Sequence, residues 1–144
     1  MKKILIPFDG SEFSQKAFEK GLEVAEKFES QLIVLTIIQS KVSDSTGISL
    51  ERMQEIQDEE EDAATTLLKN LESQANAKNV SFSMKIIHNP STHDGITAFA
   101  ESNGVDLIVI GSHGRTGFRK LVLGSVVNGV LSHAKCPVLV TKGA

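Results

Sequence analysis

A glycine-rich, basic segment follows the most hydrophobic stretch of the chain. The segment GSHGRTGFRKLVLGSVV (111–127) contains four glycines and three basic residues, and it comes directly after VDLIVI (105–110). Gly111 and Gly114 are expected to turn the main chain tightly, with positive φ angles where the turn needs them, and to let backbone N–H groups approach a ligand. These residue types predict a loop that holds an oxygen-rich anion such as a polyphosphate.

A second anion-binding element is predicted where Gly124-Ser125 begins a helix, ten residues after Gly114. The first N–H groups of a helix have no partner within it, and the helix dipole makes this end positive. Ser125 is expected to be the N-cap residue, and its hydroxyl group can also donate to a phosphate. Two elements that favour anions therefore bracket one loop.

The loop also carries three cations, Arg115, Arg119 and Lys120. Solvated surface charge is the default for such side chains, and contact with a bound phosphate is the alternative. His113 has no nucleophile that the sequence can assign to it, so contact with a ribose or with solvent is expected rather than acid–base catalysis.

Other phosphate-binding motifs are absent from the sequence. No Gly-x-x-x-x-Gly-Lys-[Ser/Thr] motif occurs, and the first predicted strand is followed by Asp9-Gly10-Ser11 rather than by a dinucleotide-binding fingerprint. Two interpretations of Asp9 are open. It can cap the turn or the first helix, and it can also accept hydrogen bonds from a ribose or help to hold Mg²⁺ through water. No acid or glutamine in the glycine loop is available to orient an attacking water, so binding without dedicated catalysis is favoured.

Apolar and amphipathic stretches alternate along the chain, and this alternation predicts the elements that position the loop. Strands are predicted over 3–8, 31–38, 80–87, 105–111 and 136–141, and helices lie between them. Helical spacing places Phe28 on the inner face of the first helix and Ala63 on that of the long helix over 50–78. The β-α-β-α-β-α-β-α-β order predicts an α/β fold in which helices cover both faces of a parallel sheet. If the first and fourth strands are neighbours, Asp9 and Gly111 both lie at the crevice where ligands bind.

Length and composition restrict the class of protein. The chain of 144 residues fits one domain over 1–144, and its net charge of −3 does not favour binding to nucleic acid. No apolar stretch reaches the ~20 residues of a membrane span. The single cysteine, Cys136, cannot form an internal disulfide and is expected to be a buried small hydrophobe. With no export signal visible, a cytoplasmic location is expected.

Three segments together resemble the universal stress protein family. They are ILIPFDGSEFS at the start, DLIVIGSHG with the spacing Gly-x2-Gly-x9-Gly-Ser, and AKCPVLV near the end. The resemblance spans nearly the whole chain. It implies a Rossmann-like parallel sheet of order 3-2-1-4-5, a homodimer formed through strand 136–141, and ATP or another adenine nucleotide bound at the glycine loop, with Mg²⁺ as a companion of the nucleotide.

The resemblance also implies roles for individual residues. Pro7, Phe8 and Asp9 would contact the adenosine, with Asp9 the candidate metal contact, and Ile37 would lie against the base. The residues that would surround the ribose and phosphates are Gly111, Ser112, His113, Gly114, Arg115, Gly124, Ser125 and Val126. The stretch His88-Asn89-Pro90 stands where the family often shows Gly-x-Pro, and it is expected to narrow the adenine side of the pocket.

Three functional hypotheses follow. The first is a stress-response protein that binds ATP and acts as a nucleotide-dependent regulator or sensor through its dimer. The second is a weak ATPase or autokinase, and the third is an interaction protein with a vestigial nucleotide site. AMP or cyclic AMP remains an alternative ligand, since the loop recognises phosphate more clearly than the number of phosphates.

Overall fold

The computed structural model describes residues 1–39, 47–114 and 123–143. Five parallel strands form one sheet in the order β3-β2-β1-β4-β5, and β1 pairs with β4 as well as with β2. The predicted fold class, strand order and adjacency of the first and fourth strands are thus confirmed. The elements are β1 (Lys3–Pro7), α1 (Glu12–Phe28), β2 (Gln31–Ile38), α2 (Leu50–Ala77), β3 (Phe82–His88), α3 (Thr92–Ser102), β4 (Leu107–Gly111), α4 (Ser125–His133) and β5 (Val138–Thr141).

Two hydrophobic clusters cover the two faces of this sheet. Successive strand residues point to opposite faces, so Ile4 and Ile6 pack with α1 and α2 whereas Leu5 packs with α3 and α4. The central strands are buried on both sides, which is why their sequences are continuous apolar runs rather than alternating ones. This two-sided packing fixes the carboxyl ends of β1, β2 and β4 beside one another.

Serine side chains cap three of the described helices. Ser11, Ser49 and Ser91 accept hydrogen bonds from backbone N–H groups in the first turns of α1, α2 and α3. The N-cap of α4 is Gly124, which offers no side-chain acceptor. The expectation that Ser125 is the N-cap is therefore wrong: Ser125 is the first residue of the helix.

Two predicted inner-face residues lie elsewhere. Phe28, the last residue of α1, is 60% exposed, and the helix ends at Glu29, which is in a left-handed conformation at φ 53°. In α2 the buried positions include Ala64 and Leu68, and Ala63 is exposed. The other buried positions, such as Phe18 in α1 and Leu71 in α2, recur at the expected helical spacing.

Cys136 precedes β5 and packs partly buried against the cluster on the α3–α4 face. Burial raises the pKa of its thiol, as expected for a small hydrophobe rather than a reactive cysteine. Within the described ranges, no helix is both long and apolar enough to cross a membrane.

Candidate functional site

A cavity of about 560 Å³ lies at the carboxyl ends of β1, β2 and β4. Its size is typical of small-molecule sites, and it opens where the strand order reverses between β1 and β4. Most of the sequence-predicted site residues line it: Pro7, Phe8, Asp9, Ile37, Gly111, His113, Gly114, Gly124, Ser125 and Val126. The topology therefore brings together segments that are about a hundred residues apart in the sequence.

Hydrogen bonds fix the segment that leaves β1. The N–H group of Phe8 donates to the Leu35 carbonyl at 2.9 Å, and the buried Thr36 hydroxyl donates to the Phe8 carbonyl at 2.8 Å. Asp9 Oδ1 accepts from the N–H group of Ser11 at 2.9 Å. Asp9 therefore holds the turn before α1, while Ser11 caps that helix, and the carboxylate of Asp9 remains on the cavity wall.

Gly111 is required by the packing of α1 rather than by a turn. A Cβ atom at this position would lie 2.7 Å from the carbonyl oxygen of Phe13, closer than real contacts allow. Neither Gly111 nor Gly114 has a positive φ angle, so the expected left-handed turn is not formed at these residues. Position 111 therefore requires glycine because there is no room for a side chain, and not because the backbone needs a left-handed conformation.

Gly114 lies against Asp9. A Cβ atom on Gly114 would be 2.8 Å from Asp9 Oδ2. The loop after β4 therefore approaches the carboxylate that ends β1, and both residues line the cavity. A larger residue at this position would displace the carboxylate or fill the space above the backbone.

The start of α4 is positioned by Ser112. The carbonyl of Ser112 accepts from the N–H group of Gly124 at 2.9 Å, and its own N–H group donates to the Thr141 carbonyl. Ser112 is 5% exposed and is not among the residues that line the cavity. Its backbone therefore connects β5 with the start of α4.

His113 does line the cavity. Its Nδ1 atom lies 3.1 Å from the Ser112 hydroxyl, and its ring is 5.2 Å from that of Phe13 at the start of α1. These contacts hold the imidazole between the β4 loop and α1. Arg115, Arg119 and Lys120, the cations predicted for the same loop, lie outside the described residues.

The sequence did not identify several residues that line the cavity. Three of them are polar: Ser14 in the first turn of α1, Gln39 after β2 and Thr92 at the start of α3. Gln39 and Thr92 follow the carboxyl end of a strand, which is the signal that could have identified them. The others are apolar, and only the three-dimensional packing shows that they meet: Leu35, Ile96, Ile110, Leu123 and Val127.

The stretch after β3 does not narrow the cavity as expected. His88 Nε2 lies 2.7 Å from Glu61 Oε1 on α2, and neither His88 nor Asn89 lines the cavity. Asn89 instead accepts from the N–H group of Ser91, which starts α3. The contact with Glu61 directs the imidazole towards α2.

The electrostatics of the site favour an anion. The first turns of α1, α3 and α4 all contribute residues to the cavity, so three positive helix ends face it. The N-cap residue of α4, Gly124, offers the first N–H groups of that helix no side-chain acceptor. Asp9 is the one carboxylate among the described lining residues. The arrangement can hold a negatively charged group at α4 and an apolar group beside Leu35, Ile37 and Ile96.

Comparison with known proteins connects this geometry to a family. The model of the universal stress protein family matches residues 1–142. This chain belongs to the universal stress protein family. Universal stress protein MJ0531 of Methanocaldococcus jannaschii is 34% identical over 145 residues, which cover 98% of this chain and 82% of the relative. Universal stress protein YxiE of Bacillus subtilis is 31% identical over 146 residues, which cover 97% of this chain and 98% of that protein.

Solved universal stress protein structures share the fold. The structure of MJ0577 from Methanocaldococcus jannaschii superposes with a TM-score of 0.82 at 28% identity, over 99% of this chain and 96% of that one. Two structures at 19% identity are complexes. One universal stress protein holds cAMP (TM-score 0.73, 98% and 96% coverage), and the Archaeoglobus fulgidus protein holds dAMP (TM-score 0.68, 97% and 97% coverage). At 19% identity, these two superpositions show that this chain shares the fold of those proteins.

Proposed function

We propose that this universal stress protein binds an adenine nucleotide, with ATP as the first candidate, in the cavity at the carboxyl ends of its strands. The observation that carries the proposal is the start of α4: Gly124, Ser125 and Val126 line the cavity, and the N-cap residue Gly124 offers the first N–H groups of the helix no side-chain acceptor. Backbone amides at a helix start are suited to phosphate oxygens. The family membership and the nucleotide complexes of two structural neighbours support the same ligand class.

The parts of the nucleotide would be distributed along the cavity. Gly114, Gly124, Ser125 and Val126 would surround the phosphates, and the exposed Ser125 hydroxyl, which is not used as a cap, is available to donate to one of them. Pro7, Phe8 and Asp9 would lie beside the ribose, and Ile37 beside the base. We assign Arg115 to the phosphate side on its sequence position alone.

Mg²⁺ would be held mainly by the nucleotide. Mg²⁺ is commonly bound by one or two carboxylates together with substrate phosphates. Asp9 supplies one such carboxylate, and among the described residues no cluster of three metal-ligating side chains occurs. The donors present therefore fit a metal ion that enters the cavity together with the nucleotide. There the ion would neutralise part of the negative charge of the phosphates.

Nucleotide occupancy would act as a signal, and the protein would not be a fast ATPase. The described cavity offers Asp9 but no further acid that could orient a water. Slow ATP hydrolysis or autophosphorylation is the second candidate, because Asp9 lies within the cavity. Radiolabelled ATP separates the two: turnover that disappears in Asp9→Ala while binding persists would favour an enzyme.

A homodimer would transmit this signal. β5 is the last strand of the sheet and pairs on one side with β4, and no described strand pairs with its other edge. Leu139 on β5 is 39% exposed, and Leu131 on α4 is 43% exposed. A second copy that pairs with this edge would cover both groups. Sedimentation should give a dimer for the native chain and for Leu50→Arg, an exposed leucine on α2, and a monomer for Leu139→Arg.

The proposed ligand is tested by denaturing freshly purified protein and identifying any released small molecule by mass spectrometry, followed by calorimetric titration with ATP, AMP and cyclic AMP. An adenine nucleotide in the denatured sample, or saturable heat with one of the three, supports the proposal. Absence of both would favour an interaction protein with a vestigial site.

A further inference from the structure

Gly95, near the start of α3, lies directly against the side chain of Ile37 near the end of β2. A Cβ atom on Gly95 would be 3.0 Å from Cδ1 of Ile37 and 3.5 Å from its Cγ1 atom. It would also be 3.2 Å from Cβ of Asn89, in the segment that follows β3. Ile37 lines the cavity, whereas Gly95 is buried and is not among the described lining residues. The side chain of Ile37 therefore packs on the backbone of α3 and also borders the cavity.

Space for Ile37 and Asn89 accounts for a glycine at position 95. Gly95 does not have a positive φ angle, so the backbone of the helix does not require glycine there. Glycine also weakens a helix relative to alanine, because it loses more backbone freedom on folding. The 3.0 Å contact that alanine would make with Cδ1 is closer than most real contacts, so the end of the Ile37 side chain would have to move.

Ile37 is the movable part of the apolar end of the cavity. Leu35 and Ile96, which form this end together with Ile37, are fully buried with 0% exposure. Ile37 is partly buried, and the cavity is the open space that it borders. Close packing resists displacement of a side chain towards buried neighbours, so a side chain at position 95 would push the end of Ile37 into the cavity. The absence of a side chain on Gly95 therefore keeps this end of the cavity wide.

We propose that Gly95 is a positioning residue for the base of the nucleotide. It leaves room for the end of the Ile37 side chain beside α3, and the apolar end of the cavity is then wide enough for a purine. This inference rests on the proposed function, because it assumes that a nucleotide places its base beside Ile37. The phosphates would lie at the start of α4, which follows β4 on the other side of β1 from β2. A larger residue at position 95 should therefore weaken binding of the base without changing binding of the phosphates.

The experiment measures the affinities of ATP and of inorganic tripolyphosphate, which has no base, by NMR titration of the native full-length protein and of Gly95→Ala. The affinity for ATP should fall by about three- to tenfold in Gly95→Ala, because the displaced methyl group takes part of the space that a methylene group of a ligand would fill in an apolar pocket. The affinity for tripolyphosphate should stay unchanged.

Two matched backgrounds show whether Gly95 acts through Ile37. In Ile37→Val, which lacks Cδ1, the change Gly95→Ala should not weaken ATP binding further, because the remaining contact at 3.5 Å is an ordinary one. In Ile33→Val the change should keep its full effect, since Ile33 packs on the same face of β2 but does not line the cavity. The contact with Asn89 is common to all backgrounds, so it cancels in the comparison.

The outcomes separate this inference from the proposed function. Unchanged ATP affinity in Gly95→Ala, an equal loss for ATP and tripolyphosphate, or the same loss in the Ile37→Val background would overturn the role of Gly95 and leave nucleotide binding intact. Failure of the native protein to bind ATP would overturn the proposed function and this inference with it.

A measurement on the native protein tests the same contact without a substitution, so it decides the matter even if Gly95→Ala does not fold. The δ1 methyl signal of Ile37 should show an NOE to the Hα protons of Gly95, and it should shift with ATP but not with tripolyphosphate. Absence of the NOE, or equal shifts with both ligands, would overturn the inference.

Discussion

Asp9 Oδ2 lies 2.8 Å from the point that a Cβ atom on Gly114 would occupy. Asp9 lies in the turn after β1, Gly114 lies in the loop after β4, and both line the cavity. The carboxylate and the glycine are therefore a matched pair: the absence of a side chain at one position gives room for the side chain at the other. This relationship links the segments that leave β1 and β4 at the candidate site.

Gly114→Ala should destabilise the fold through Asp9. The added methyl group must displace a carboxylate whose other oxygen is bonded to the Ser11 N–H group, and overpacking of this kind costs about 1–3 kcal/mol. In an Asp9→Ala background the methyl group meets no carboxylate, so its cost should nearly vanish. Urea unfolding of the two single variants and the double variant measures this coupling. Strictly additive losses would show that the two residues do not contact.

Gly111→Ala should be more damaging than Gly114→Ala. Its methyl group would lie 2.7 Å from the Phe13 carbonyl oxygen and 2.8 Å from the carbonyl carbon, which are main-chain atoms of α1 and cannot rotate away. We expect a loss of about 3 kcal/mol in the free energy of unfolding, at the upper end of the overpacking range. The matched comparison is Gly124→Ala, whose nearest contact would be 3.3 Å. A loss at Gly111 no larger than that at Gly124 would contradict the packing argument.

Ser11 and Ser125 should separate stability from binding. Ser11 caps α1 by accepting from Ser14 N–H at 3.1 Å, so Ser11→Ala should cost about 1 kcal/mol of stability. Ser125 is exposed and makes no cap, so Ser125→Ala should leave the urea midpoint almost unchanged and weaken ATP binding several-fold in calorimetry. A large stability loss in Ser125→Ala, with ATP affinity unaltered, would refute the assignment of its hydroxyl to the phosphates.

Asp106 should contribute to stability in a manner that depends on pH. Its Oδ2 atom accepts from the N–H groups of Lys2 and Lys3, each at 2.9 Å, and these bonds hold the pKa of the carboxyl below its ordinary value of 3.8. A lowered pKa means that the stabilisation is present above pH 3.8 and is lost as the pH falls through the pKa of the folded state. Asp106→Asn should therefore be less stable than the native protein at pH 7.

Denaturant unfolding of the native protein and of Asp106→Asn over a range of pH tests this prediction. The difference in denaturant midpoint between the two proteins should be constant between pH 7 and about pH 5, and should shrink at lower pH as the native carboxyl becomes protonated. The same difference at pH 7 and at pH 2.5 would show that the charge of Asp106 has no part in its contribution.

The element order could be predicted because local sequence decides it. Runs such as ILI in β1 and LIVI in β4 are apolar on both faces, which only strands buried under helices require. Helix ends were also signalled locally, as with Ser11 and with Asn103-Gly104, where Gly104 has φ +63°. Local sequence does not decide which of the adjacent alanines Ala63 and Ala64 is buried in α2, because only packing against the sheet distinguishes them.

The reasons for individual site residues depended on contacts that the sequence does not display. Gly111 was predicted from loop chemistry, yet the atom that excludes a side chain there belongs to Phe13, far away in the sequence. Ser125 has the residue type of an N-cap, but the bond from the Gly124 N–H group to the Ser112 carbonyl places the helix start one residue earlier. Gln39 carries no motif at all, and its place at the cavity follows from the pairing of β2 with β3.

The proposed nucleotide site depends most on the backbone amides at the start of α4. Titration of ¹⁵N-labelled protein with ATP, followed by two-dimensional NMR, observes those amides directly. We predict saturable shifts centred on the N–H signals of Gly114, Gly124, Ser125 and Val126, with smaller shifts at Ile37 and Gln39. Unchanged signals at these residues, or shifts confined to the opposite end of the sheet around Glu29 and Asn79, would contradict nucleotide binding at this cavity.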